Sequence, residues 1–328
     1  LPEGSSIAIS VLGTASIERF LEFYEAQLGM QASPVETLGG ESFERFWNLP
    51  AGSTARAVLL SVGGSPVGRL LGLQFSAPNP RRLTDGSRGP FIGYWNLNFY
   101  VDRIVEACDE LEARGFRFWS KPTQHAVAGG AGAPVEAIFL GPDDVAINLV
   151  QLDASPGSAI GEIWRETAQL PRTRTGYSQV ATSPHSTRDI EASARFYRDV
   201  LGMWPAIDAI LESPAVNEMT GRPRDARTRV IWLRGSHPYG KVALSQTLNY
   251  ALVDRAHDAA APAIGYLAQA FAVADLDAAL GRAAACGAVS LGAPQTLDLP
   301  GGLRLRAALL RAPGSGALVK LFEQKDDA

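Results

Sequence analysis

The stretch Phe23-Tyr24-Glu25-Ala26-Gln27-Leu28-Gly29-Met30 returns as Phe196-Tyr197-Arg198-Asp199-Val200-Leu201-Gly202-Met203, an offset of 173 positions (196 less 23) in a chain of 328 residues. The same offset pairs Ala8 with Ala181, Ser10 with Ser183, Thr14 with Thr187, and Ile17-Glu18 with Ile190-Glu191. Solenoid repeats have periods of roughly 20–50 residues, so one repeat of this length means a duplicated domain. Each half therefore supplies a twin position at which any candidate residue of the other half can be tested.

Each repeat opens with a strand, over 6–11 and 179–183, then an amphipathic helix over 17–28 and 190–201. Ile17, Phe20, Leu21, Tyr24 and Leu28 give that helix its apolar face by the i, i+3, i+4, i+7 rule. Gly29 and Gly202 stand where a helix ends in left-handed backbone. Strands over 57–62 and 70–75, and over 229–233 and 242–246, complete this unit. The plan then recurs inside each repeat. A strand over 96–101, a helix over 104–113, a stop at Gly115 and strands over 116–120, 135–140 and 146–151 are matched by 268–273, 276–285, Gly287, 303–310 and 318–323. Phe99/Phe271, Val101/Val273 and Gly115/Gly287 set this second offset at 172. The chain reads as four βαβββ modules, with domains over 1–152 and 177–328 and a linker over 153–176.

The length suits two domains of about 150 residues, each able to bury a core. The apolar share of 46% and charged share of 20% are those of a soluble globular chain, and a net charge of −4 offers no footprint for nucleic acid or anionic membrane. No apolar run reaches the roughly 18 residues of a membrane span. The start, Leu1-Pro2-Glu3-Gly4-Ser5-Ser6, has neither the basic nor the apolar part of a secretory signal, and its missing Met implies trimming. Cys108 and Cys286 do not occupy twin positions, which predicts reduced, buried thiols and a cytoplasmic location.

The doubled FYxxxLGM phrase, the Phe-x-Val strand before a Gly-terminated helix, and the turns Gly141-Pro142-Asp143-Asp144 and Ala312-Pro313-Gly314 before a last strand together resemble the vicinal oxygen chelate superfamily of glyoxalase I, bleomycin-resistance proteins and extradiol dioxygenases. The resemblance implies an α+β fold in which the four modules form two tandem glyoxalase-like half-barrel domains, each with a ligand cup. It also implies metal ligands on the first and last strands of the modules. In this chain those positions fall on Ser6, Gly72, Asn96 and Asn148, then on Gln179, Ala243, Ala268 and Lys320. Glycine and alanine donate nothing, and Lys320 repels a cation. The expectation is therefore no metal and no cofactor.

Alternation along the strands predicts a first cup lined by Ser6, Ser10, Gln74, Asn96, Asn98, Tyr100 and Asn148. Of these, Ser6, Gln74, Asn96, Asn98 and Asn148 are expected to bind substrate and Tyr100 to assist catalysis. His125 and Glu136 flank the glycine-rich tip Ala128–Gly132 and, brought together by a hairpin, would make an acid–base pair. The second cup is expected to be apolar, with Gln179 and Lys320 as its polar points. The run Arg222, Arg224, Arg227, Arg229 reads as a solvated hairpin, with an anion site as the alternative. Phe46, Trp47, Trp95 and Trp119 offer walls for an aromatic ligand.

The function expected is metal-independent proton transfer on a small aromatic or carbonyl-containing molecule, of lyase or isomerase type. The rival is a non-catalytic binding protein of the bleomycin-resistance kind, and the third is a divergent metal-dependent dioxygenase or glyoxalase. The partners expected are a small organic, aromatic ligand and, as an option, a second copy of the chain; neither nucleic acid nor membrane is among them.

Overall fold

The computed structural model describes residues 4–324; the start Leu1-Pro2-Glu3 lies outside them. The four predicted modules are present, and the fold is α+β, dominated by two curled sheets. Strand pairing, however, joins modules in an order the repeats do not announce. The ten-stranded sheet runs Val289–Ser290, Leu303–Arg311, Leu318–Glu323, Gly265–Val273, Ile7–Gly13, Arg69–Phe75, Ala55–Ser61, Gln31–Ala32 along its main path. It therefore unites the first module with the fourth. The eight-stranded sheet runs Trp204–Leu211, Thr228–Arg234, Lys241–Thr247, Val180–Ser186, Asn96–Tyr100, Ala146–Gln151, Val135–Leu140, Thr123–Gln124. It unites the second with the third.

The seams are antiparallel pairings of the modules' opening strands. Ser10 lies opposite Gln269 and Val11 opposite Ala268 in one sheet; Thr182 lies opposite Asn98 in the other. Each cup thus takes half its wall from each repeat. Within a repeat the modules meet instead through their helices. Ile17, Phe20, Phe23 and Tyr24 share a core with Leu97, Phe99, Ile104, Phe139 and Ile147, and Ile190, Phe196 and Tyr197 share another with Leu276, Ala279 and Leu310. All five residues of Asn96–Tyr100 are buried because helices cover one face and the cup closes over the other. The two sheets are also tied directly. Tyr94 stacks on its twin Tyr266 with ring centroids 4.9 Å apart and donates to Leu318 O at 2.9 Å.

Local chemistry explains the elements. Asp189 and Asp275 cap their helices by accepting from Ala192 N and Ala278 N, and Ser16 accepts from Arg19 N. Gly29 and Gly202 end them at φ 76° and 67°. The helix from Ile17 changes to a π-turn over Glu22–Gln27, whereas its twin Ile190–Leu201 is regular, a difference that nothing in the packing explains.

One strand expectation needs correction, and three helices add to the expected elements. Residues 116–120 form no strand; only Phe118 bridges Phe139. The stretch 153–176 contains a helix, Ala159–Thr167, seated on buried Ile160 and Ile163. Two short helices were not foreseen, Glu41–Trp47 and Pro214–Met219, because neither is long enough to display a periodicity. These two occupy twin positions, and each covers a cup.

Candidate active site

The two cups are equivalent in topology and opposite in content. In the cup of the first and fourth modules, Phe43, Phe46 and Trp47 of the covering helix descend onto Leu71, Leu73, Phe75, Ala268, Ala270 and Leu309 and fill the interior. The twins of Phe43, Phe46 and Trp47 in the other cup are Val216, Met219 and Thr220. These are smaller, and a cavity of about 70 Å3 remains beside them. That is roughly half the ~150 Å3 known to hold a benzene ring. A few heavy atoms fit this cavity.

Polar groups follow the same division. Asn96 and Asn98 stand where Ala268 and Ala270 stand in the filled cup. His125 has Leu297 as its twin. Glu136 and Ala307 hold equivalent register positions, opposite Val150 and Phe322 respectively. The hollow cup is lined by Trp95, Asn96, Asn98, His125, Glu136 and Asn148 from the second module, and by Leu211, Val216, Met219, Arg222, Val230 and Trp232 from the third.

The expected hairpin does bring His125 to Glu136: Nε2 lies 3.0 Å from Oε1, with both side chains buried. Asn148 Nδ2 donates to the second oxygen, Oε2, at 2.6 Å. Burial alone would lower the imidazole pKa, but the hydrogen bond and charge of Glu136 outweigh it and hold His125 above 6.5. Burial likewise would raise Glu136. The His125 bond and charge, Asn148 and the field of Arg222 prevail and hold it below 4.5. Because a carboxylate only accepts, Nε2 is the protonated nitrogen and Nδ1 carries the lone pair. Nδ1 is buried without a partner, as are the Oδ1 atoms of Asn96, Asn98 and Asn148 and the indole Nε1 of Trp95. Buried polar atoms are rarely left bare, and these gather around one cavity.

Arg222 lines the cavity as well, although its basic run reads first as a solvated hairpin, with an anion site as the alternative. Its neighbours behave as expected of a hairpin: Arg229 pairs with Asp208 and Glu191, and Arg227 with Glu212. Arg222 turns inward instead and is 9% exposed. Asn217 fixes this loop: its carbonyl accepts from Arg222 N at 2.7 Å, and its side chain donates to the carbonyls of Arg224 and Ala226. Gly221, at φ 68°, passes so close to Gly89 that an added Cβ would sit 2.7 Å from its amide nitrogen. The available signal was the repeat itself, since the offset of 173 continues through Pro50/Pro223 and sets Arg222 at the half-buried position of Leu49.

The remaining predicted residues lie elsewhere. Ser6 and Gln74 belong to the other sheet, because their module pairs with the fourth. Ser6 Oγ accepts from His237 N at 3.3 Å. Gln74 Oε1 accepts from Ile17 N and so anchors a helix start, as Gln151 does for Ile104 and Gln246 for Ile190. Gln179 Nε2 donates to Ser65 Oγ and Val67 O rather than lining a cup. Tyr100 shares the strand face of Asn96, but four residues further on, roughly 13 Å, it has left the cavity. It packs beside Tyr239 under the ammonium of Lys241. Lys320 lies in the filled cup, 5.4 Å over the ring of Phe46. Of the four aromatics, Phe46 and Trp47 fill that cup, Trp95 lines the cavity, and Trp119 packs behind it. Both cysteines are buried and unpaired.

A divalent metal does not suit this donor set. Among the described residues no three His, Cys, Asp or Glu side chains gather. The one imidazole and one carboxylate in the cavity are spent on each other, the other oxygens are neutral amides, and a guanidinium shares the space.

This architecture of paired βαβββ modules with a cup in each sheet is a glyoxalase-like fold. Residues 6–149 match the sequence model of the Glyoxalase/Bleomycin resistance protein/Dioxygenase superfamily. The match spans the first repeat, somewhat under half of the chain, and the second repeat carries the same module plan. Glyoxalase I from Zea mays superposes with a TM-score of 0.61 at 15% identity, over 98% of this chain and 93% of that one. A putative dioxygenase from Bacillus subtilis gives 0.55 at 10% identity, over 98% and 86%. At these identities the likeness shows the fold. A search of curated sequences found no match.

Proposed function

We propose that the chain is a metal-independent enzyme that moves a proton on a small carbonyl-containing or aromatic molecule, a reaction of lyase or isomerase type, in the cup of the second and third modules. The observation that carries this reading is the buried His125–Glu136–Asn148 chain, which leaves one imidazole nitrogen bare at a cavity. His125 Nδ1 accepts a proton from the ligand, and Glu136 stabilises the imidazolium without taking the proton itself. The proton then returns to another atom of the same framework, or the electron pair it left behind expels a leaving group. Trp95 and the amides of Asn96 and Asn98 orient the ligand, and the apolar wall from Val216 to Trp232 excludes water. We place the protein in the cytoplasm, on its two unpaired thiols.

The test is hydrogen–deuterium exchange at carbon, followed by NMR, on a panel of enolisable oxo acids and aryl ketones. Exchange promoted by the natural protein and lost in folded His125→Gln supports the reading. Equal exchange in both proteins overturns it, and ligands that bind but always return unexchanged favour sequestration.

A further inference from the structure

The hollow cup holds a guanidinium whose donors its own residues leave bare. Glu136 is committed to His125 and Asn148. Arg222, nine-tenths buried in the same cavity, has no carboxylate within ion-pair distance among the described residues, and its Nε and Nη1 have no hydrogen-bond partner. A guanidinium with bare donors in an apolar setting is costly to maintain, since the hydration lost on burial outweighs what Tyr250 and the field of Glu136 return. The equivalent position in the other cup, Leu49, shows that the fold itself needs no cation there. The indole Nε1 of Trp95 is a second bare donor in the lining of the same cavity. Around them Val216, Met219 and Val230 offer only hydrocarbon.

We infer that Arg222 is the anchor for an anionic group, and that the natural ligand of this cup is a small monocarboxylate whose apolar part lies against Val216 and Met219. A carboxylate satisfies those bare donors, and the planar guanidinium matches it through two parallel N–H···O bonds. The cavity of about 70 Å3 accommodates a carboxylate with a short carbon chain, and a ring requires the covering helix Pro214–Met219 to yield. The inference rests on the proposed site and names the class of molecule that enters it.

Propionate and its neutral isostere propionamide are the probes, read by thermal unfolding of the full chain at millimolar concentration, where a ligand raises the midpoint by mass action. Propionate should stabilise the protein and propionamide should not. Arg222→Leu, which installs the residue of the twin position, should reduce propionate affinity at least about tenfold. Equal stabilisation by acid and amide, or none by propionate, overturns the inference, and so does undiminished propionate binding by folded Arg222→Leu. Should that variant fail to fold, the acid–amide comparison on the natural protein decides. Carboxylate-selective binding without carbon exchange in any panel member would sink the enzyme reading alone. Exchange on neutral ketones with no carboxylate preference would sink this inference alone.

Discussion

Leu49 and Arg222 occupy the same place in two copies of one module, yet Leu49 packs among the side chains of a filled cup and Arg222 borders a cavity. The covering helices differ in the same sense, with Phe46 and Trp47 in one answering to Met219 and Thr220 in the other. A single scaffold has therefore been closed by large apolar side chains on one side and kept open by smaller ones on the other.

The first prediction uses that difference. Met219→Phe, alone or with Val216→Phe, copies the filled cup into the hollow one. The cavity is small, so packing should absorb the added ring at a cost within about 1–3 kcal/mol of stability either way. Binding of any cup ligand should vanish by calorimetry. Retained affinity would show that the ligand sits elsewhere.

A second prediction concerns the titration of His125, followed by NMR. In the natural protein its pKa lies above 6.5 because Glu136 outweighs burial. In Glu136→Gln only burial remains, so the pKa should fall below 6.5. The linkage has two limbs. The raised histidine contributes stability below pH 6.5 that is lost as pH rises through its folded pKa, and the lowered glutamate contributes stability above pH 4.5 that is lost as pH falls through its own. The pair should therefore stabilise most between those limits, a bell that Glu136→Gln flattens.

Lys320 supplies a third. Buried in the filled cup with only Arg69 as a charged influence, its ammonium is pushed from 10.5 down to about 7. The folded protein thus binds fewer protons than the unfolded chain between those values, and stability should rise with pH across that window. Lys320→Met should stabilise the protein at pH 7 by roughly 3 kcal/mol and remove part of the slope. Lys241, also held near 7, keeps the rest. Denaturant unfolding at pH 7 and pH 10 measures both.

The fourth is acid lability. His185 is fully buried between the rings of Tyr94 and Tyr197, with neither nitrogen partnered, and burial lowers its pKa to about 3. Its neutral form is retained in the fold while the unfolded chain takes up a proton below 6.5, so stability is lost as pH falls from 6.5 toward 3. His185→Leu, the residue at twin position 12, should recover roughly 3 kcal/mol at pH 4 and change little at pH 8. An unchanged acid midpoint would show that another group controls it.

Much of this was legible in the residues. The repeat located four modules, and helix periods, caps and the glycine stops at Gly29 and Gly202 followed from local rules. The hairpin that joins His125 to Glu136 was readable because the two lie only eleven positions apart. Arg222 and the covering helices were not, since a six-residue helix shows no period and a basic run looks solvated until its partners are known. Gln74 was misjudged for a related reason. A polar side chain at a strand end serves a neighbouring helix start as readily as a ligand, and only the parallel cases of Gln151 and Gln246 separate the two.

The sequence by itself determined the modules, because helix, strand and turn propensities act over a few residues and the duplication states them twice. The tertiary structure alone decided which modules share a cup. Each opening strand has an unpaired edge that either of two other modules could satisfy, and alternation along a strand says which side chains share a face but not which strand lies beyond. Pairing the first module with the fourth separated Ser6 and Gln74 from Asn96 and Asn148, and pairing the second with the third brought Arg222 to Glu136.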